Sequence, residues 1–187
     1  MSLIGTKIID FKLDGFHNNM FIEVENKDFL GKWSVLVFYP GDFTFVCPTE
    51  LEDLAHYYKD FQAIGCEVYS CSTDSHYVHK AWFDTSPSIA KIKFPMLADP
   101  AGVLSRSLNV LVEGPWQALR ASFVINPRGE IVAFEVNDMG IGRSAKDLLR
   151  KVKAAQYIEE NGGEACPANW EPGDDTLTPG IDLVGKI

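Results

Sequence analysis

Residues 33–39 read WSVLVFY, a continuous apolar run cut off by Pro40-Gly41-Asp42. A run this short is better suited to a strand than to a helix, and its Val and aromatic side chains favour a pleated surface. It shows no polar alternation, so both faces of the strand must be covered, which points to a sheet packed between helices. With 187 residues, 46% of them hydrophobic, the chain is long enough to bury such a core in one domain.

The flanking segments fit that frame. Leu51, Leu54, Tyr58 and Phe61 recur at helical spacing and stop at Gly65. CEVYSCST (66–73) reads as a second strand, SHYVHKAWFD (75–84) as a short helix, FPMLADP (94–100) as a short strand and AGVLSRSLNV (101–110) as a further helix. ASFVINPRGEIVAFEV (121–136) holds two strands around the turn Asn126-Pro127-Arg128-Gly129. SAKDLLRKVKAAQYIEENGG (144–163) is a helix with a stripe at Leu148, Val152, Ala155 and either Ile158 or Glu159, stopped by Gly162. Strand–helix alternation closed by an antiparallel pair predicts an α/β domain with a mixed central sheet over residues 1–162. Residues 163–187 turn to Gly, Pro and acid without a period, and predict an extended arm that leaves the domain.

Charge and composition narrow the function. Asp and Glu number 26 against 17 Lys and Arg, a net charge of −9, which disfavours nucleic acid and anionic membrane surfaces as partners. No apolar run approaches the length that spans a bilayer. MSLIGTKIIDFKLDG lacks the basic start, apolar block and small-residue cleavage site of a signal peptide, so the cytoplasm is expected. In that reducing compartment the four cysteines, Cys47, Cys66, Cys71 and Cys166, are core thiols, metal ligands or redox catalysts. Cys66-x4-Cys71-x4-His76-x2-His79 is a poor zinc site, because an odd offset along a strand sends its two thiols to opposite faces. No phosphate loop, nucleotide fingerprint or HExxH stretch is present, so neither a bound cofactor nor a metal is expected.

Cys47 has the more telling address. It lies in PGDFTFVCP (40–48), in the first turn of the helix after the central strand, with Thr44 or Cys47 itself as N-cap and Pro48 near the helix start. The positive end of a helix favours a thiolate, the reactive form. His56 cannot activate it within one chain: nine residues along the same helix put it about 13 Å away on the opposite side. An arginine, always charged and rich in donors, is the better candidate. A buried apolar cysteine beside a turn threonine stays open as the bland reading.

FYPGDFTFVCPTE resembles the peroxidatic motif of peroxiredoxins, Pro-x-x-x-Thr-x-x-Cys, here Pro40, Thr44 and Cys47. GEACPANW resembles the resolving-cysteine motif of typical 2-Cys members at Cys166. HKAW, GIGRSAKDLLRKVKAAQY and DLVGKI are similar to the peroxidatic component of bacterial alkyl hydroperoxide reductases. The resemblance runs through nearly the whole chain. It implies a thioredoxin-like fold and a thiol peroxidase without a cofactor. Cys47 would become a sulfenic acid, with the Thr44 hydroxyl, the Cys47 amide and Arg120 stabilising charge on the peroxide. Pro40 would shield the pocket, and Glu50 with Arg143 would orient Arg120. Cys166 of a partner protomer would close an intersubunit disulfide, reduced in turn by an NADH-linked flavoprotein disulfide reductase or by thioredoxin. The implied assembly is a homodimer and a decamer of five dimers. The chain departs from the family pattern in VEGPWQALR (112–120), which carries an unexpected Pro115-Trp116, and it has neither the Gly-Gly-Leu-Gly loop nor the terminal Tyr-Phe of peroxide-sensitive members.

Taken singly, each of these residues has an ordinary reading. Thr44 is a turn residue, Pro40 a strand end, Arg120 and Arg143 solvated charges, and Glu50 a first-turn acid. The ordered set is what favours a peroxidase over a holdase scaffold or a redox sensor.

Overall fold

The computed structural model describes residues 2–186. A mixed seven-stranded sheet runs in the order β2 (Met20–Glu25), β1 (Lys12–His17), β5 (Met96–Ala98), β4 (Cys66–Ser72), β3 (Trp33–Phe38), β8 (Arg120–Ile125), β9 (Ile131–Asn137). The β3–β4 and β4–β5 pairs are parallel, and the outer pairs are antiparallel. The helices are α1 (Cys47–Ala63), α2 (His76–Thr85), α3 (Val103–Ser107) and α4 (Ala145–Glu160). A two-stranded ribbon of β6 (Leu111–Val112) and β7 (Gln117–Ala118) stands beside the main sheet.

β3 shows why a run without polar alternation demands two covered faces. Val35 and Val37 pack with Leu51, Leu54 and Phe61 of α1 and Leu148 and Val152 of α4. Leu36 and Phe38 point the other way, into Phe29, Leu104 and Phe123. The cover is unequal. Trp82 of α2 joins the α1–α4 side, while the opposite side is closed by the short α3, a 3-10 turn at Asn26–Phe29 and the N-terminal Ile8 and Phe11. Cys66 and Cys71 fall into these two separate layers, as their odd spacing requires, and burial pushes both thiols up in pKa.

Helix α1 buries the expected Leu51, Leu54, Tyr58 and Phe61 and ends at Gly65, which takes the left-handed φ of +67° that glycine allows. Its start differs from expectation. Val46 is the N-cap, in helical φ/ψ and without a side-chain cap, and Cys47 is the first helical residue. Thr44 lies two residues ahead of that cap, and its hydroxyl instead donates to the Gly41 carbonyl at 2.7 Å. Helix α4 is capped by Ser144, which accepts from the Asp147 amide. Of the two alternatives for its stripe, Ile158 is half-buried, whereas Glu159 is exposed and paired with Arg128. Its C-cap is Asn161, whose amide and side chain both donate to the Tyr157 carbonyl, and the expected stop residue Gly162 follows directly.

Two further features depart from the sequence reading. The β1–β2 hairpin has no counterpart in it. This hairpin turns through Asn18 and Asn19, both left-handed (φ 49° and 60°), the chemistry of a two-residue hairpin loop. Among its described residues, the arm lacks regular structure apart from an Ala165–Leu177 bridge and a 3-10 turn at Ile181–Leu183. It does not simply leave the domain, however. Trp170 is 2% exposed, its ring lies 4.9 Å from that of Tyr157 on α4, and its Nε1 donates to the Asp174 carbonyl. An indole that size offers more burial than a short polar segment gains from full solvation, so the arm folds back.

Candidate active site

The site forms where β3 gives way to α1. Strand pairing continues past Phe38, with the Tyr39 amide donating to the Cys71 carbonyl. Pro40 is buried, and the chain then turns through Gly41–Val46 into the helix. Cys47 is 0% exposed at the helix start. Three residues on, Glu50 shares its helix face, as i and i+3 positions do.

The neighbouring strand supplies the cation. β8 pairs with β3 so that Ala121 faces Phe38, which sets Arg120 level with the beginning of the loop. Arg120 Nη1 donates to Cys47 Sγ at 3.3 Å and to Glu50 Oε2 at 2.7 Å, and its Nε donates to the Met139 carbonyl at 2.6 Å. The other Glu50 oxygen accepts from the Arg143 amide at 2.9 Å and from its Nε at 2.8 Å. Arg143 Nη1 reaches Ser122 Oγ. Burial works to raise the Glu50 pKa, but Arg143 and then Arg120 outweigh it and hold this carboxyl below the usual glutamate range. Burial likewise works against the Arg120 charge, and the Cys47 sulfur and Glu50 together keep it firmly protonated.

This buried set contains two guanidiniums and one carboxylate. It lacks one negative charge, and the atom placed to carry it is Cys47 Sγ. Buried charge is costly unless matched, so the geometry favours an anion at that sulfur. A fixed cation beside a sulfur is also an arrangement able to stabilise charge developing on an incoming ligand.

Of the residues named from the sequence, Cys47, Arg120, Glu50 and Arg143 form one hydrogen-bonded cluster, and Pro40 and Thr44 line the loop that leads into it. The Thr44 proton is committed to Gly41, so to donate elsewhere the hydroxyl must exchange that bond. Cys166 belongs to a different place. It is half-buried in a groove with Trp33, Ala154, Ala155 and Ile158, and its Sγ is 4.0 Å from the Ala154 carbonyl. Burial raises its pKa, with Arg150 pulling the other way. All four cysteines are free thiols.

The histidines are engaged elsewhere, and one marks a feature that sequence reasoning misses. His79 Nδ1 lies 2.7 Å from Asp42 Oδ2, and its Nε2 is 3.0 Å from the Leu97 carbonyl. Tyr39 donates to Asp42 Oδ1 at 2.7 Å. A carbonyl only accepts, so Nε2 carries a proton and a second proton is shared between His79 and Asp42. The Asp42 amide donates to Asp74 Oδ2, which also accepts from Ser72 Oγ. The loop ahead of Cys47 is thus tied to α2 and to the end of β4. In the sequence HKAW stands out only by resemblance, and no spacing rule connects residues 37 positions apart. Among the described residues, no three His, Cys, Asp or Glu side chains converge as a metal site, and no helix is long and apolar enough to cross a membrane.

Comparison with known proteins agrees with this geometry. The model of the AhpC/TSA family matches residues 4–134, and that of the C-terminal domain of 1-Cys peroxiredoxin matches residues 154–182. The chain is 56% identical to alkyl hydroperoxide reductase C of Salmonella typhimurium and 54% identical to that of Bacillus subtilis, each over the full length of both chains. The crystal structure of Enterococcus faecalis AhpC superposes with a TM-score of 0.87 at 53% identity, covering 89% of this chain and all of that one. Reduced 2-Cys peroxiredoxin of Plasmodium vivax superposes at 0.92 with 35% identity, covering 97% and 96%. A thioredoxin-like sheet, a cysteine opening its first long helix and full-length likeness to these proteins lead to one conclusion: the chain belongs to the AhpC/TSA family of peroxiredoxins.

Proposed function

We propose that this thiol-dependent peroxidase works through Cys47 as peroxidatic nucleophile and Cys166 as resolving thiol. The observation that carries the reading is the 3.3 Å donation from Arg120 to the Cys47 sulfur inside a buried cluster short of one negative charge. The thiolate attacks the terminal oxygen of a hydroperoxide. The O–O bond breaks, Cys47 becomes a sulfenic acid, and the leaving alkoxide or hydroxide departs as alcohol or water by taking up the proton that the thiol released on ionising. Arg120 stabilises the charge passing from sulfur to oxygen, and Glu50 with Arg143 keeps its guanidinium in place. Thr44 and the Cys47 amide complete the contacts to the peroxide, and Pro40 keeps bulk water from the site. Cys166 of a second protomer then displaces water from the sulfenic acid and forms a disulfide.

The substrate is a hydroperoxide, and the electrons return through a separate disulfide reductase, because the chain has no nicotinamide or flavin fingerprint of its own. We assign that role to an NADH-linked flavoprotein, with thioredoxin as the alternative, and place the cycle in the cytoplasm, where thiols stay reduced. The working unit is a homodimer, with five dimers to a ring. Steady-state peroxide consumption with a dithiol reductant tests the assignment. Cys47→Ser is expected to lose all turnover above background, whereas Cys166→Ser keeps one rapid reduction per Cys47 and then stalls in the absence of added thiol. Full turnover by Cys47→Ser would refute it.

A further inference from the structure

Arg150 of α4 stands where the C-terminal arm bends back on the domain. It lines the groove that holds Cys166 and also a second groove with Asn169 and Glu171. It lies one helical turn before Ala154, whose carbonyl is the contact of Cys166 Sγ, so the two residues share a helix face. Its side chain is 24% exposed, and its Nε donates to Asp147 Oδ1 at 3.0 Å. Among the described residues, its two terminal nitrogens have no hydrogen-bond partner.

The other charged groups of the Cys166 groove are committed. Lys151 bridges Glu135 of β9 and Asp147 of α4, at 2.6 and 2.7 Å. Glu159 pairs with Arg128, and Glu164 on the arm accepts from the hydroxyls of Thr176 and Thr178. β9 and β3 bring only Val132, Ala133 and Trp33 to the groove, without charge. Arg150 is therefore the cation with donors still to offer near this sulfur. Burial raises the Cys166 thiol, and Arg150 is the group that opposes the rise.

We propose that Arg150 is a positioning residue of the resolving thiol: its free guanidinium edge stabilises the Cys166 anion that attacks the sulfenic acid, and so sets the pH range in which the disulfide closes. The Cys166 thiolate forms the S–S bond as the S–O bond of the sulfenic acid breaks. The departing hydroxide leaves as water with the proton that the Cys166 thiol released. The inference rests on the resolving role given to Cys166 above.

Alkylation of Cys166 by iodoacetamide across pH, in a Cys47→Ser background, reads the first half without any peroxide chemistry. Cys66 and Cys71 are buried and do not compete. Arg150→Met is expected to raise the pH midpoint of alkylation by about 0.5–1. Near neutral pH the reaction should slow about two- to threefold, since the more basic sulfur is the better nucleophile once ionised. Well above the midpoint the variant should match or overtake the background. Arg150→Lys, which keeps the charge, should move the midpoint back down, and Asp147→Asn, which frees Arg150 of its acid, should lower it. With Cys47 present, one equivalent of peroxide should give the same rate of sulfenic acid formation in wild type and Arg150→Met, and disulfide closure about two- to threefold slower in the variant near neutral pH. An unchanged midpoint, alkylation faster at every pH, or a raised midpoint with unchanged closure would overturn the inference. A wild type that forms no Cys47–Cys166 disulfide would instead remove the resolving assignment on which it rests.

Discussion

Cys47 and Cys166 occupy opposite kinds of place. Cys47 begins a packed helix, has no solvent exposure and touches a guanidinium that is itself held by Glu50 and the Met139 carbonyl. Cys166 sits on an irregular arm, half-exposed, with one weak contact to a carbonyl and Trp170 as the anchor nearby. The difference separates two chemical tasks. On the proposed roles, the first sulfur meets a small molecule in a fixed electrostatic frame, and rigidity serves it. The second, on the same proposal, travels to the Cys47 sulfenic acid of another protomer, and a segment that opens at low cost serves it.

The comparison is broken most severely by removing the cation. Arg120→Ala should slow the reaction of Cys47 with peroxide by about 10²–10³-fold, the usual cost of losing a charge-stabilising donor. Disulfide closure once the sulfenic acid exists should change far less. Stopped-flow tryptophan fluorescence separates the two steps. Next comes the carboxylate. Glu50→Ala leaves Arg120 and Arg143 buried without their shared partner and should cost about 3–5 kcal/mol in urea unfolding. Glu50→Gln keeps the shape and part of the hydrogen bonding, and should cost less.

On the flexible side, Trp170→Ala removes the arm's buried indole. Cys166 should then react about tenfold faster with a thiol probe, while the first-step rate at Cys47 stays within about twofold. If both thiols respond equally, the two regions are not independent. The smallest effect is that of pH. Glu50 titrates lower in the folded chain than the roughly 4.3 of a free glutamate, so its stabilising contribution is complete above that value. It is lost as pH falls through the depressed folded value, because the unfolded chain then binds the proton first. Asp42, raised by burial, runs the other way and favours the folded state in acid. Unfolding midpoints should therefore fall more steeply in wild type than in Glu50→Gln as the pH is lowered below about 4.3.

Local rules make much of the frame legible. WSVLVFY announces a strand covered on both faces, Leu51, Leu54, Tyr58 and Phe61 announce α1, and Asn126–Gly129 announces the β8–β9 turn. The β1–β2 hairpin escapes because Gly15 and His17 interrupt any clean alternation, and glycine is needed at 15 where a Cβ would lie 2.8 Å from the Met96 carbonyl. Thr44 looks like a helix cap, but the helix begins only at Cys47, with Val46 in the cap position, and the Thr44 hydroxyl serves the preceding turn. Arg120, Glu50 and Arg143 are reached only through resemblance to a family, since nothing in spacing shows that positions 50, 120 and 143 meet. Asp42 and His79 are missed for the same reason: a buried pair made by tertiary packing leaves no periodic trace.

The most direct test of the paired roles is a peroxide titration of the fully reduced protein, read on a nonreducing gel and by mass spectrometry, with Cys47→Ser and Cys166→Ser alongside. One equivalent of peroxide is expected to convert wild type to a covalent dimer linked through Cys47 and Cys166. Cys166→Ser should accumulate sulfenic acid at Cys47, and Cys47→Ser should stay reduced. A wild type that remains monomeric on the gel, or a Cys47→Ser variant that still cross-links, would contradict the paired roles.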